Sequence, residues 1–210
     1  MELETSRIFL LSPANCSGRR GRQLLAPRSG SELAAGLRSP RGVPIGDLFS
    51  FVSSLYFRGK LTYARRFAAP PEDTGGVHVI TATSGLRTPE THVTREAVRA
   101  FASGDIDATN PRYRRPLERS ARALAEQTGP QCEVVLLGSI ASPKYVDVLL
   151  DVFGERLRFP AEFVGRGDMS RGGLLLRSAA EGAELDYLPV FGAVRRGARP
   201  PRLPPLCRAQ

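Results

Sequence analysis

The sequence predicts an α/β fold of three layers, with a largely parallel sheet of four or five strands and helices on both faces. Short apolar runs alternate with small polar turns and helical patterns, which is the order typical of parallel sheets. The chain has 210 residues, and its composition is even until about residue 195. We therefore expect one α/β domain over residues 1–195 and a disordered, basic Pro/Arg-rich tail over residues 196–210.

Five apolar runs predict the strands, and most of them lead into a turn or a helical pattern. β-branched and other apolar residues dominate these runs, as they do in buried strands. The last of them is expected to close the sheet. The runs are RIFLL at 7–11, VHVITA at 77–82, EVVLLG at 133–138, LRFP at 157–160 and LDYLPV at 185–190.

Helical spacing is clearest over residues 44–67. Apolar side chains recur there at intervals of three, four or seven residues and form one wide face. They are Ile45, Leu48, Phe49, Val52, Leu55, Tyr56, Tyr63 and Phe67. The pattern predicts one continuous helix with this face in the core.

Two more helices follow from stripes and start signals. Tyr113, Leu117, Ala121 and Leu124 form a stripe, for which Asn110 and Pro111 offer a cap and a first turn. Pro116 inside the stripe favours a helix start nearer to itself as the alternative. A later helix is expected to begin at Ser142 as the cap and Pro143 in the first turn. Its inward residues are Tyr145, Val146, Leu149, Val152 and Phe153.

Residues 26–43 mix Gly, Ser, Pro and Arg, and predict a long mobile loop that covers a cleft.

The charge balance favours a polyanionic partner. Lys and Arg number 30 against 21 Asp and Glu, the net charge is +9, and Lys60 and Lys144 are the only lysines. The sequence pI is about 10.3. Arginine pairs well with phosphate and base edges, so we expect nucleic acid or a nucleotide as partner. A GC-rich genome would produce the same arginine bias without a functional reason.

Several classes of protein are disfavoured. No apolar stretch reaches the ~20 residues of a membrane span, so no membrane partner is expected, and the location is expected to be cytoplasmic. Three cysteines lack CxxC spacing, and His78 and His92 are the only histidines. We predict no metal site and no cofactor. Cys16 lies near Arg19 and Arg20, which would lower its thiol pKa if they are close; an inert loop cysteine is the alternative.

Candidate ligand residues lie in the loops that leave the strands, because open α/β sheets bind ligands beyond the carboxyl ends of their strands. These loops are rich in small residues and hydroxyl groups, although plain turns favour the same residues. The predicted ligand loops contain Ser12, Asn15, Ser84, Gly85, Gly138 and Ser139. Arg19, Arg20 and Lys144 are predicted to bind phosphate, with a solvated lysine as the alternative for Lys144.

The segment FVGRGDMSRGG, residues 163–173, is the most flexible and polar candidate. Backbone N–H groups and guanidinium forks both suit anions. Its glycine order fits neither a P-loop nor a dinucleotide fingerprint, which disfavours classical ATPase and NAD chemistry. Asp168 is the candidate catalytic residue, as a general base or a partner of a sugar hydroxyl; alternatively Asp168 or Ser170 caps a helix. The predicted phosphate-binding residues of the segment are Arg166, Gly167, Ser170 and Arg171.

Four segments, at residues 7–20, 47–67, 77–90 and 134–153, together resemble the YaaA-like superfamily, which includes a peroxide-stress protein. The matching residues are Ser12, Pro13 and Ala14 after the first strand, Leu55 and Tyr56 in the following helix, and Ser84, Gly85 and Leu86 in a later turn. The likeness covers residues 7–153 and implies an α/β fold with DNA binding or a nucleobase-related role. Asn15 stands where relatives have a lysine, and residues 163–173 match no family pattern. No catalytic residue transfers.

Two functions follow as hypotheses. The first is a nucleic-acid- or nucleotide-binding α/β protein that acts on a nucleobase or an N-glycosidic bond, with Asp168 as base or electrostatic partner and Arg166 and Arg171 as phosphate clamps. The alternative is a non-catalytic DNA-binding or stress-protection protein of the YaaA-like type, whose arginines contact only the backbone. A protein-interaction module is a third possibility. The sequence leaves open whether the chain is an enzyme.

Overall fold

The α/β fold class is confirmed by a computed structural model, which describes residues 5–141, 143–201 and 203. The strands are β1 (Arg7–Leu11), β2 (Val43–Pro44), β3 (Val77–Thr81), β4 (Gly85–Arg87), β5 (His92–Val93), β6 (Glu133–Leu137), β7 (Leu157–Pro160) and β8 (Tyr187–Pro189). Six of them form one sheet in the order β4-β3-β1-β6-β7-β8. β2 and β5 form a separate antiparallel pair.

The four inner strands of the six-stranded sheet are parallel. β1 pairs with β3 on one side and with β6 on the other, and β6 pairs with β7. β4 and β8 join the two edges in antiparallel orientation. Every predicted strand is present. β4 was missed because only three residues separate it from β3, and these three fold into a tight turn instead of a ligand loop.

Seven α-helices occur in the described residues: α1 (Arg19–Leu25), α2 (Glu32–Arg38), α3 (Ile45–Phe67), α4 (Arg95–Ser103), α5 (Pro111–Thr128), α6 (Pro143–Phe153) and α7 (Asp168–Glu181). α3 packs extensively against α7, and α5 packs against α6. Helices cover both faces of the sheet, which gives the fold three layers. None of the described helices is long and apolar enough to span a membrane.

The core is centred on β1 and β6. Ile8, Phe9, Leu10 and Leu11 of β1 have no exposed surface, and neither have residues 134–137 of β6. Continuous apolar runs of this kind are expected where both faces of a parallel sheet are covered. The helices therefore leave only the ends of these strands open to ligands.

Residues 26–43 form more structure than the predicted loop. They contain α2, whose N-cap Ser31 accepts a hydrogen bond from the Ala34 backbone N–H at 3.3 Å. Ala34 and Leu37 are buried. With seven residues, α2 is too short to give a clear helical period in the sequence. Packing against the rest of the domain is what stabilises so short a helix.

Of the two starts considered for α5, the structure has the one with Asn110 as the cap and Pro111 in the first turn, and α6 begins at the predicted proline. α5 begins at Pro111, because the Asn110 side chain accepts a hydrogen bond from the Arg112 N–H at 3.0 Å, and it continues through Pro116. Pro116 costs the helix one hydrogen bond without ending it. α6 begins at Pro143 as expected, while the predicted cap Ser142 lies outside the described residues.

The tail is only partly described. Its residues 196–201 and 203 form no helix or strand, and positions 202 and 204–210 lie outside the described residues. The expectation of disorder over residues 196–210 stays a prediction.

Two glycines bring α3 and α7 into backbone contact. A Cβ atom on Gly172 would lie 2.8 Å from the Tyr56 Cα, and one on Gly59 would lie 2.6 Å from the Gly172 carbonyl oxygen. Real Cβ atoms do not approach backbone so closely, so neither position has room for a side chain. This contact places the middle of α3 against the first turns of α7.

We expect Gly172→Ala to lower the free energy of unfolding by about 1–3 kcal/mol, because the added methyl group forces the two helices apart. Gly173→Ala is the matched control on the same helix, since its Cβ would meet nothing closer than the Leu203 side chain at 3.9 Å. This control should be neutral or stabilising by up to about 1 kcal/mol, the helix propensity gained over glycine. Urea denaturation measures both, and equal effects would contradict the close contact.

Candidate functional site

A cleft of about 780 Å³ lies at the carboxyl ends of β1 and β6. The chain leaves β1 toward β3 on one side and returns to form β6 on the other side, so the two loops diverge here. Such a topological switch point is where open α/β sheets bind ligands. The loop after β1 contributes Ser12, Asn15 and Cys16, and the segment after β6 contributes Ser139, Lys144 and Tyr145.

Ser12 is the first residue after β1 and is held at three atoms. Its N–H donates to the Leu137 carbonyl at 3.1 Å, which extends the pairing with β6. Its carbonyl oxygen and its Oγ both accept hydrogen bonds from Lys60 Nζ, at 2.6 and 2.8 Å. The hydroxyl of Ser12 is therefore fixed at the floor of the cleft.

The amine of Lys60 is buried without a carboxylate partner. The residue is 1% exposed, and no ion pair joins it to any described residue. The ring centroids of Tyr56 and Phe57 lie 4.4 and 4.9 Å from Nζ. Burial lowers the pKa of Lys60 to about 7; Asp168 opposes this shift and Arg171 adds to it. Near neutral pH a large share of the amine is therefore uncharged and can accept a proton.

The helix that carries Lys60 is broken beside the cleft. Ser54 has φ 48° and ψ −122°, so two helical segments meet there instead of the one continuous helix that was predicted. Ser53 before the break and Tyr56 after it both line the cleft. A positive φ at a residue other than glycine costs about 1–3 kcal/mol, and such strain is concentrated at functional sites.

Gly138 allows Ser12 and Tyr145 to approach one another. A Cβ atom on Gly138 would lie 2.8 Å from the Ser12 Cβ and 2.9 Å from the Tyr145 Oη. The Tyr145 hydroxyl donates to the Ser139 carbonyl at 3.1 Å and accepts from the Ser139 N–H at 3.0 Å. Burial raises the pKa of Tyr145, which the hydroxyl of Ser12 partly offsets, so the phenol keeps its proton at neutral pH.

Tyr56 presents a second phenol to the cleft. The residue is 6% exposed, and its hydroxyl makes no hydrogen bond of ordinary geometry with the described chain. Burial raises its pKa, and the nearby Arg171 guanidinium opposes that effect. A buried hydroxyl without a partner is costly, so it favours a ligand that can hydrogen-bond to it.

The structure brings one member of the 163–173 segment to the cleft. Asp168 lines it, as the first residue of α7, with a side chain that is 69% exposed. The N-cap of α7 is Gly167, so neither Asp168 nor Ser170 caps the helix. A carboxylate in the first turn is favourable because the helix dipole is positive there.

Arg171 is not the phosphate clamp that the sequence predicts. It is buried, and its Nη2 and Nε donate to the Phe163 carbonyl at 2.9 and 3.2 Å. Its Nη1 lies 3.7 Å from Asp168 Oδ1. The guanidinium thus stabilises the turn that leads into α7.

Arg166, Gly167 and Ser170 line a separate groove of about 430 Å³ beside the tail. Arg166 Nη1 lies 3.3 Å from both the Ser170 Oγ and the Pro201 carbonyl, to which it donates. The predicted grouping of Arg166 with Asp168 in one site therefore does not form, because the two side chains leave α7 and its preceding turn in different directions.

Four other predicted residues lie outside the cleft. Arg19 and Arg20 are the first residues of α1, and Arg20 Nη1 donates to the Phe51 carbonyl at 3.0 Å. Ser84 belongs to the turn before β4, and its N–H donates to Thr81 Oγ1 at 2.9 Å. Gly85, at φ 68°, packs against the backbone of α5. This close packing explains the glycine without a ligand.

The surroundings of Cys16 and His78 are those of structural residues and do not activate either side chain. Burial raises the pKa of Cys16 to about 12, so its thiol stays protonated at neutral pH instead of being activated by Arg19 and Arg20. His78 Nε2 lies 2.7 Å from the Gly75 carbonyl, and burial lowers its pKa. Across the part of the chain that the structure describes, His, Cys, Asp and Glu form no cluster that could hold a metal ion.

Lys60 lies beneath the cleft and was not among the candidate site residues predicted from the sequence. Its position was readable: it lies four residues after Tyr56 and three before Tyr63, on the apolar face of α3. A lysine at that spacing either reaches past the face to water or is buried in it, and only the fold decides between the two.

Comparison of the chain with protein-family models, curated proteins and solved structures finds no significant match. The resemblance to the YaaA-like superfamily stays a prediction.

The buried amine makes stability depend on pH. Between the folded pKa of about 7 and the ordinary value of 10.5, the unfolded chain binds more protons at Lys60 than the folded chain does. Stability must therefore rise with pH in this window. We expect the unfolding free energy of the wild type, relative to Lys60→Met, to rise by on the order of 1 kcal/mol per pH unit between pH 7 and 9.5.

Urea denaturation at several pH values measures this difference, in which groups common to both proteins cancel. Lys144→Met, at an exposed position, is the control and should give a profile parallel to the wild type. Parallel profiles for wild type and Lys60→Met would show that Lys60 titrates alike in the folded and unfolded chains.

Proposed function

We propose that the cleft binds a nucleotide, either free or as a unit of a nucleic acid. The observation that carries this proposal is a cleft of about 780 Å³ at the switch point between β1 and β6. Its volume lies within the range of small-molecule sites, and its place is the one that nucleotide-binding α/β proteins use.

The lining has the groups that a nucleotide requires. The exposed Lys144 lies in the first turn of α6, where its ammonium and the positive helix end both favour a phosphate. Asp168 can accept hydrogen bonds from sugar hydroxyls, and Tyr56 has a hydroxyl free to donate. Phe101 and Tyr145 add apolar surface for a base. Because Arg166 lines another groove and Arg171 is buried, Lys144 is the cation that binds the phosphate in this proposal.

The net charge supports a polyanionic ligand in a less specific way. At +9 the chain attracts nucleotides and nucleic acids at long range, and the effect weakens as salt is added. Hydrolysis of an N-glycosidic bond with Asp168 as base stays a prediction within this proposal. This hydrolysis is tested by measuring turnover, which Asp168→Asn should abolish without loss of nucleotide binding.

One observation favours the non-catalytic alternative. Arg115, Arg119 and Arg122 line an open groove of about 400 Å³ along α5, away from the cleft. A row of arginines on a helix suits the phosphates of a DNA backbone, although Glu118 pairs with Arg122 at 2.7 Å and reduces the local charge.

We expect Lys144→Ala to weaken binding of a nucleoside monophosphate by roughly tenfold, as loss of a charge-assisted contact to phosphate would. Arg119→Ala is the matched control, since it removes a cation far from the cleft. Isothermal titration at low salt with purine and pyrimidine monophosphates, and fluorescence anisotropy with labelled single-stranded and duplex DNA and RNA, give the affinities.

The two variants separate the two functions. Loss of duplex DNA binding in Arg119→Ala, with Lys144→Ala unchanged and a steep dependence on salt, would support backbone binding along α5 instead. The absence of binding to every nucleotide and polynucleotide at low salt would reject both functions.

A further inference from the structure

We propose that Ser12 is a nucleophile activated by Lys60, and that the cleft catalyses acyl transfer from carboxylic esters to water. The geometry is that of a serine–lysine pair: Lys60 Nζ lies 2.8 Å from Ser12 Oγ, and Ser12 lines the cleft. This inference concerns the cleft described above but does not depend on nucleotide binding.

The surroundings of Lys60 favour its neutral form. Tyr56 and Phe57 of α3 cover the amine with their rings, and no carboxylate contacts it. The charged groups that act on it come from α7: Asp168, which favours the ammonium, and Arg171, which disfavours it. The neighbouring Tyr145 of α6 and Cys16 of the β1 loop keep their protons, so they leave the balance unchanged.

Two hydrogen bonds to Ser12 orient the Lys60 amine so that it can accept the proton of the Ser12 hydroxyl. The bond of 2.6 Å to the Ser12 carbonyl uses one N–H and holds Nζ in place. When the amine is neutral, its lone pair can face the Ser12 Oγ and accept the hydroxyl proton. The direction of that hydrogen bond then reverses, and Ser12 becomes the donor.

The reaction balances with water as the only co-reactant. Ser12 Oγ forms a bond to the carbonyl carbon of the ester while its proton moves to Lys60 Nζ. The tetrahedral intermediate collapses with cleavage of the bond to the alcohol oxygen, which takes the proton back from Nζ. Water then attacks the acyl ester on Ser12, again giving a proton to Nζ, and the proton returns to Ser12 Oγ as the carboxylic acid leaves.

Cys16 does not compete for this role, although it also lines the cleft. Burial keeps its thiol protonated, and no general base contacts it in the described residues. The Tyr145 hydroxyl lies near Ser12, because Gly138 leaves the space in which the two approach one another.

The test is covalent labelling of the full chain with a fluorophosphonate probe, followed by peptide mass spectrometry. Attack by Ser12 Oγ expels fluoride and leaves a stable phosphonate ester. We expect one adduct, on Ser12, which Ser12→Ala abolishes and Lys60→Met slows at least about 100-fold. Ser84→Ala is the matched control: it also follows a strand, but it lies outside the cleft and should label at the wild-type rate.

The pH profile tests the role of Lys60 in the wild-type chain, where no variant has to fold. The labelling rate should rise about tenfold per pH unit below pH 7 and level off above it. With p-nitrophenyl acetate, the same profile should govern a burst of one equivalent of p-nitrophenol. Thermal unfolding confirms that each variant is folded.

Several results would overturn the proposal. They are an adduct on another residue in place of Ser12, the absence of any adduct up to pH 9, and equal labelling rates in wild type and folded Lys60→Met. A flat pH profile in the wild type would also overturn it. None of these measurements contains a nucleotide, so their outcome is independent of the function proposed for the cleft.

Discussion

The hydrogen bonds from Lys60 to Ser12 are the interaction on which the cleft depends. They join the middle of α3 to the end of the central strand, at 2.6 and 2.8 Å. Removing an ammonium from water costs several kcal/mol, which two neutral acceptors repay only in part. The remainder comes from the packing around it. The contact between Gly59 and Gly172 presses α3 against α7, so the amine stays under the rings of Tyr56 and Phe57.

The break in α3 lies beside the same cleft. The positive φ of Ser54 turns the first helical segment aside, which leaves Ser53 and Tyr56 on the two sides of an opening. Backbone strain here is offset by the buried core of the sheet, where β1 and β6 have almost no exposed surface.

The structural features that depend on local sequence patterns can be predicted from the sequence alone. Runs such as RIFLL and EVVLLG are apolar whatever their neighbours, so the strands follow from them. The order of the strands, which puts the switch point between β1 and β6, is known only from the structure. Which of two nearby arginines is buried does not follow, because the carbonyl of Phe163 that binds Arg171 is placed by the turn before α7. The burial of Lys60 likewise depends on the distance between α3 and α7. Short elements such as β4 fall below the length at which a period can be recognised.

The composition also limits which side chain can occupy the floor of the cleft. Arginine retains its proton at any pH a protein meets, and its planar fork needs several acceptors. Among the described residues, the acceptors that Lys60 binds beneath Tyr56 and Phe57 are the two oxygens of Ser12, so a guanidinium there would be a permanent charge without a carboxylate partner. A lysine can lose its charge there. The chain has 30 Lys and Arg residues and only two lysines, and of its buried cations Lys60 and Arg171 only the lysine can be deprotonated near neutral pH, which the proposed proton transfer requires.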